Sequence, residues 1–435
     1  MWQNLLFLED SSQHAYESGR GVKTNMETMD LTTPLPEFNS VTESENSFAL
    51  NSEFADWNDS CPFESKMTIP AEFVHKYLYS SFHGVLCTIL MPISICLGCL
   101  LNGSFLYVVA SIKSMQTTTN FYLANLAVCD MLYLLSTSYE ARAYIISGTV
   151  TRNTLQDGHI SCVMLFFENL FYIASMAFVT LVTMERFVAI CYPIKSLSLN
   201  RRSRTIKLAV GAWVLNVLVA FLYTIRYLWL KEICFDWPDE ESFAHLPNVV
   251  GWCSGSPIPK RITVLPVIIR GCKAITFLVI FTICSFMCIK IITALGKRPE
   301  TGAAAASRAE RARLHVARML LINNAVFFIG NIPSAVVHIC RLSSLITGST
   351  VVSEDTITTI GQTAIVCTLI NSAVNPIIYN GSNPRYRRAF RQAFTACVRS
   401  RRDGKDGKQA SQLSTVDQRK LATSTSKAED TFDNK

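Results

Sequence analysis

The sequence predicts an all-α membrane protein, a bundle of seven transmembrane helices followed by a short amphipathic helix. Three observations carry this. Of 435 residues, 49% are hydrophobic and 17% charged, with mean hydropathy +0.26; soluble domains carry about 25% charge. Seven apolar runs of about 26–33 residues recur along the chain, long enough for a helix to cross about 30 Å of hydrocarbon. None shows the alternation of a membrane β-strand, so helices rather than a barrel satisfy the backbone in lipid.

The net charge of +7 is unevenly spread. Residues 1–80 hold 4 Lys/Arg against 13 Asp/Glu, a net of −9, which leaves +16 for the remainder. That asymmetry points to a topology and not to nucleic-acid binding. Residues 1–78 are polar and acidic and read as a disordered extracellular tail. Asn58-Asp59-Ser60 is a glycosylation sequon, whereas Asn102-Gly103-Ser104 falls within a span and is unusable. MWQNLLFLED lacks the basic start and long apolar core of a cleavable signal peptide. The first span is therefore expected to act as the signal anchor.

The spans fall near 81–112, 118–146, 160–192, 205–230, 263–295, 312–341 and 355–380, within a transmembrane domain at 79–382. Basic residues gather after the first (Lys113), the third (Lys195, Arg201, Arg202, Arg204), the fifth (Lys297, Arg298, Arg308) and the seventh (Arg385, Arg387, Arg388, Arg391). The positive-inside rule puts the N-terminus outside and the C-terminus in the cytosol, and an odd number of spans agrees. The outer loop at 231–262 is the longest and carries Trp237, Trp252, five acids and two Cys; the loop ETGAAAAS before span six is short. At 383–398, Tyr386, Phe390 and Phe394 recur at helical spacing against Arg387, Arg388 and Arg391, the pattern of a helix lying on the membrane surface. Cys397 at its end is a candidate for palmitoylation. Residues 399–435 read as a disordered cytoplasmic tail with phosphorylation sites. Most of the fifteen Cys lie inside apolar runs, as small buried hydrophobes. Cys61, Cys162, Cys234, Cys253 and Cys340 lie near or outside spans and are the disulfide candidates if that side is oxidising.

Four intramembrane polar features bear on function. Span three holds Ser175 and, in SMAFVTLVTMERFVAICYP, the adjacent Glu185 and Arg186. An Arg or Asp at a helix centre costs about 2.5–3.5 kcal/mol, so the pair marks either a membrane boundary or a function. Span two holds Asn125 and Asp130, span six Asn331 and Pro333, and span seven Asn371, Ser372, Asn375, Pro376 and Tyr379. A buried carboxylate such as Asp130 must be paired, protonated or bound to a cation. Ser175, Asn371, Ser372 and Asn375 offer hard oxygen ligands for a small monovalent cation, or hydrogen bonds between helices.

Over about 80–397 the sequence resembles the rhodopsin-like (class A) G-protein-coupled receptors. Asn102 in span one, LANLAVCD with Asp130 in span two, Cys162 and ERFVAICYP in span three, Trp213 in span four, Pro333 in span six and NPIIY in span seven carry the resemblance by order and spacing. It implies a multi-pass plasma-membrane receptor in which Glu185 holds Arg186 until activation turns it toward a heterotrimeric G protein. Asp130, Ser175, Asn371 and Asn375 would bind sodium and favour the inactive state. Tyr379, in the Asn375-Pro376 motif, would swing inward, and Phe327 would be the packing switch before Pro333. Cys162 would pair with the long outer loop, with Cys253 favoured over Cys234, and Cys61 with Cys234 or Cys340 would make a second bridge. Arrestin and receptor kinases would act on the C-terminal tail.

The departures are specific. Phe187 stands where the family has Tyr, and Asn331 where it has Trp. Span five lacks a mid-helix proline, Pro266 lying too near its outer end, and Phe286 takes the place of a water-binding Tyr. Arg313 occupies the position of an acid that tethers span three, so appreciable basal activity is expected. From Cys162 to Arg186 is 24 steps, one short of the common spacing.

For the ligand, Glu168 or Asn169 stands where amine receptors have Asp, and Leu369 where opsins have their Schiff-base Lys. A peptide is the reading that remains, with the acidic tail steering a cationic one. Glu168, Asn169, Glu140, Arg142, Arg226, Arg270 and Asn331 are the pocket candidates. The resemblance extends to the thyrotropin-releasing-hormone, neuromedin and FMRFamide receptor branches. Alternatives are a receptor for a small molecule or lipid, or a transporter or channel, whose repeats and polar pore stripe are not seen in the sequence. No HExxH, paired catalytic acids or nucleophile–base pattern points to an enzyme.

Overall fold

The structure, a computed structural model, describes residues 66–151, 153–156, 158–199, 202–253, 264–296 and 304–395. Seven helices long and apolar enough to cross a membrane organise it: α1 Ser81–Ser111, α2 Thr118–Ser147, α3 His159–Cys191, α4 Arg202–Thr224, α5 Val264–Gly296, α6 Ala304–Thr347 and α7 Glu354–Ser382. A further helix, α8, follows at 384–395. Each predicted span falls on one of these helices. The sequons, tails and thiols expected at Asn58, Cys61 and Cys397 lie outside the described residues, as does 399–435.

Local chemistry sets the ends. Thr117 and Ser353 accept the backbone N–H of Asn120 and Thr356, capping α2 and α7. Gly148, with φ +63°, ends α2 in the left-handed conformation that a side chain resists. α6 is longer than predicted because the alanines read as a loop are strong helix formers. α4 ends earlier than predicted: after Thr224 comes a 3₁₀ turn, Ile225–Tyr227, and Leu230 already belongs to a strand. Pro333 and Pro376 sit inside α6 and α7, where each removes a backbone hydrogen bond.

α3 is the central post. In its most apolar window 67% of residues are buried inside the protein, against 22% in α1 and α4 and 17% in α5. The outer helices turn Leu100, Val214, Leu218, Ile275 and Ile289 outward, as a lipid-facing surface requires. Polar ties join the helices: Asn102 Nδ2 donates to the Ser372 carbonyl at 2.9 Å, Trp213 Nε1 to Asn125 Oδ1 at 3.1 Å, and Tyr223 Oη to the Cys272 carbonyl at 3.1 Å. At Gly98 a Cβ would stand 3.4 Å from that of Ala373, so α1 and α7 approach closely there.

Over one end of the bundle lies a three-stranded sheet. β1 Lys66–Thr68 pairs in parallel with β2 Leu230–Asp236, which pairs antiparallel with β3 Val249–Cys253. Ile69, Val74, Tyr77, Val150, Phe235 and Trp252 form a hydrophobic cluster beneath it. The expectation of disorder through residue 78 therefore fails for Lys66–Tyr77. This stretch is less polar than the residues before it, and burying Ile69, Val74 and Tyr77 offsets the entropy of ordering the chain.

At the other end α8 buries Tyr386, Ala389 and Ala393 and exposes Arg387, Arg388 and Arg391. Tyr386 donates its hydroxyl to Asn120 Oδ1. Burial raises the Tyr386 phenol above its ordinary value, which keeps it a donor.

Candidate functional site: a ligand cavity above a polar switch

A small cavity of about 20 Å³ opens in the half of the bundle nearer the sheet. Tyr172 of α3, Tyr223 of α4, Lys273 and Phe277 of α5, and Ser334 and His338 of α6 line it. The helical repeat explains the set: on α5, Arg270, Lys273, Ala274 and Phe277 share the buried face, and on α6, Asn331, Ser334, Ala335, His338 and Arg341 do. Lys273 Nζ sits 5.2 Å from the centre of the Tyr223 ring, a cation–π contact.

Of the predicted pocket residues, Glu168, Asn169, Arg270 and Asn331 are buried. Asn169 spends its amide on the Leu165 carbonyl. Glu140 is half-buried and Arg142 is exposed, because they lie in the last turns of α2, toward its end. The Arg226 side chain lies outside the described residues. Lys273, His338, Arg341, Tyr172 and Ser334 went unpredicted. The i, i+3 and i, i+7 spacing from Arg270 and Asn331 was the available signal.

Tyr172 of the cavity wall donates its Oη to Asn331 Oδ1 at 2.7 Å, and Asn331 Nδ2 donates to the Phe327 carbonyl. A hydrogen bond between α3 and α6 thus occupies the place where the resemblance implied an aromatic toggle. Phe327 is buried, with its ring edge-on to Phe328, centroids 5.4 Å apart.

Deeper lies Asp130, 0% exposed. Ser175 Oγ donates to its Oδ1 at 3.0 Å and Asn375 Nδ2 to its Oδ2 at 2.6 Å. Asn371 is buried, and its Oδ1 has no hydrogen-bond partner among the described residues. A buried carboxylate with neighbouring hydroxyl and amide oxygens fits a small hard cation. Tyr379 is 1% exposed, its ring packed on Phe105 and Tyr386.

At the end opposite the sheet, Arg186 Nε lies 2.6 Å from Glu185 Oε2, and its Nη2 donates to Glu185 Oε1. Thr119 of α2 donates to the same Oε2 at 3.1 Å. One turn inward, Thr183 and Asn324 exchange hydrogen bonds, the shorter 2.9 Å, joining α3 to α6. The Arg313 side chain lies outside the described residues. Phe187 meets Tyr192 edge-on. Phe286 is 54% exposed on the outer face of α5, so it does not stand in for an interior Tyr.

At the sheet end Cys162 and Cys253 form a disulfide that ties the start of α3 to β3. Cys234 is disulfide-bonded as well, and Cys340 is free, which removes Cys340 as a bridge candidate.

Residues 101–379, well over half the chain, match the sequence profile "7 transmembrane receptor (rhodopsin family)". The chain belongs to this receptor family. The receptor is 23% identical to somatostatin receptor type 1 of Rattus norvegicus over 67% of each chain, and 25% identical to somatostatin receptor type 2 of Sus scrofa over 80% of this chain and 84% of that one. It is 33% identical to the thyrotropin-releasing hormone receptor of Homo sapiens over a shorter stretch, 31% of this chain and 33% of the relative.

Proposed function

We propose that this receptor binds a peptide in the cavity beneath the sheet, outside the cell, and activates a heterotrimeric G protein at the Glu185–Arg186 end. Its relatives include receptors named for somatostatin and thyrotropin-releasing hormone, and this favours a peptide over a small molecule or lipid. The observation that carries the reading is the column of buried polar contacts joining cavity to ion pair. It runs from Tyr172–Asn331 through Ser175–Asp130–Asn375 to Thr183–Asn324 and Glu185–Arg186. Every pair except the last joins two helices, so the column is a set of contacts that two helix arrangements can make or break. A ligand that fits one arrangement better shifts the equilibrium by its difference in affinity.

Lys and Arg crowd the segments flanking the Glu185 end, which favours the cytosol for that side and the cell exterior for the sheet. Sodium, if it binds, is held by Asp130, Ser175, Asn371 and Asn375 and favours the inactive arrangement. Arrestin and receptor kinases are further partners for the tail, Asn58 is the glycosylation site and Cys397 the acylation site. No catalytic role is assigned to any residue.

The experiment is nucleotide exchange on purified G proteins by membranes holding the receptor, screened with a neuropeptide library. An active peptide that loses all effect on Arg186→Ala at equal surface expression supports the reading. Full coupling by that variant overturns it.

A further inference from the structure

We infer that Cys234 of β2 is bonded to Cys61, so that the chain between Cys61 and α1 is a strap stapled to the sheet by a second disulfide. That this disulfide lies outside the cell rests on the topology proposed above; the pairing itself does not.

Elimination gives the partner. The sequence holds fifteen Cys. Ten of those in the described residues are free, Cys162 and Cys253 are bonded to each other, and Cys234 is disulfide-bonded too. Cys61 and Cys397 are left. Cys397 comes two residues after Thr395, where α8 ends, and α8 and the sheet lie at opposite ends of the bundle. Two residues reach about 7 Å, and Cys234 is across about 30 Å of hydrocarbon.

The strand register is an independent observation. β1 runs parallel to β2 with Lys66 opposite Cys234, and paired strands lie about 4.7–4.9 Å apart. Cys61 precedes Lys66 by five residues, a reach of about 17 Å at most. That is ample for turning back to the Cα separation of about 4.4–6.8 Å that a disulfide spans.

The strap's own contacts show what the bridge adds. β1 has three residues, and Lys66 and Thr68 meet partners 168 positions away. Closing so long a loop costs entropy, which a crosslink removes. The Lys66–Asp236 ion pair, 3.2 Å, is exposed on both sides and contributes little. Ile69, Val74 and Tyr77 pack beneath the sheet. Beyond them, Thr151 N–H donates to the Tyr77 carbonyl at 2.8 Å and Tyr79 N–H to the Thr149 carbonyl at 3.0 Å. The strap is thus tied to β2 at one end and to the α2–α3 turn at the other. Residues 1–60 carry 2 Lys/Arg against 11 Asp/Glu, a net of −9. The bridge makes this acidic tail begin beside β2 and not at α1, so its charge is presented at the sheet.

The bridge forms by thiol–disulfide exchange with a disulfide carrier of the secretory compartment. The carrier's S–S bond breaks as the receptor's forms. Two electrons and the two thiol protons pass to the carrier, which leaves as its dithiol.

The test is disulfide mapping by mass spectrometry on the full-length receptor from cell membranes. Free thiols are blocked with N-ethylmaleimide, and digestion without reduction uses an Asp-specific protease, which cuts between Cys234 and Cys253 at Asp236 and Asp239. A crosslinked pair carrying Cys61 and Cys234, lost on reduction, is expected. Cys61 recovered blocked, or joined to any other Cys or to a second chain, overturns the inference, and this measurement needs no variant. Cys61→Ser should speed thermolysin cleavage within residues 66–77 at least tenfold, with Cys397→Ser unchanged; equal rates in all three proteins would overturn the strap. After mild reduction of intact cells, an impermeant maleimide should label Cys61 and Cys234. Labelling that requires permeabilised cells would keep the pairing and overturn the topology.

Discussion

Asn324 and Thr183 show how much one side-chain pair can decide. They join α3 to α6 one turn from Arg186, so the α3–α6 tie does not depend on an acid at position 313. One hydrogen bond of this kind contributes about 0.5–1.5 kcal/mol. Thr183→Val should therefore raise ligand-independent nucleotide exchange about two- to tenfold at equal expression; an unchanged basal rate would mean the pair holds nothing. Asp130→Asn addresses the deeper site. It keeps the volume and removes the charge, so any sodium dependence of agonist affinity should vanish, and sodium sensitivity persisting in the variant would move the cation elsewhere. The charged and polar markers here were legible in sequence, because Asp130, Ser175, Asn375, Glu185 and Arg186 are expensive in lipid and stand out against apolar neighbours. Tyr172 and Lys273 did not stand out. Tyrosine and lysine are common near span ends, and what makes these two notable is the helix each one faces, which composition does not carry.

Whole helices were legible too, since length and hydropathy are local properties. Their depth in the bundle went unread, although α5 is the more apolar of the two and lies at the edge while α3 is surrounded. α1 and α7 offer a test of element packing. Gly98→Leu would drive a branched side chain at Leu134 and at the Ala373 backbone, which lies 3.6 Å from the site of the missing Cβ. Overpacking of this kind costs about 1–3 kcal/mol, so the purified protein should melt several degrees lower. Gly98→Ala should do much less, because the atom it meets first is the movable end of Leu134.

At the scale of the molecule, the sheet was the least legible part. Its first two strands pair Lys66 with Cys234, 168 positions apart, and the pairing of β1 has no short-range signature. The Cys162–Cys253 disulfide closes a loop of 91 residues beneath it. Loss of a native bridge typically costs about 2–5 kcal/mol. Cys162→Ser, Cys253→Ser and the double variant should fall by the same amount in thermal midpoint, since all three remove one bond; additive losses would show that the thiols act separately.

The parallel pairing of β1 with β2 also orders events during synthesis. β1 leaves the ribosome before any span, and β2 only after four. The first strand must wait with its edge unmatched while half the bundle is inserted, and no hairpin can form early in its place. Resistance of residues 66–77 to an added protease would thus time the arrival of the fourth span, making a segment synthesised before every span one of the last to settle.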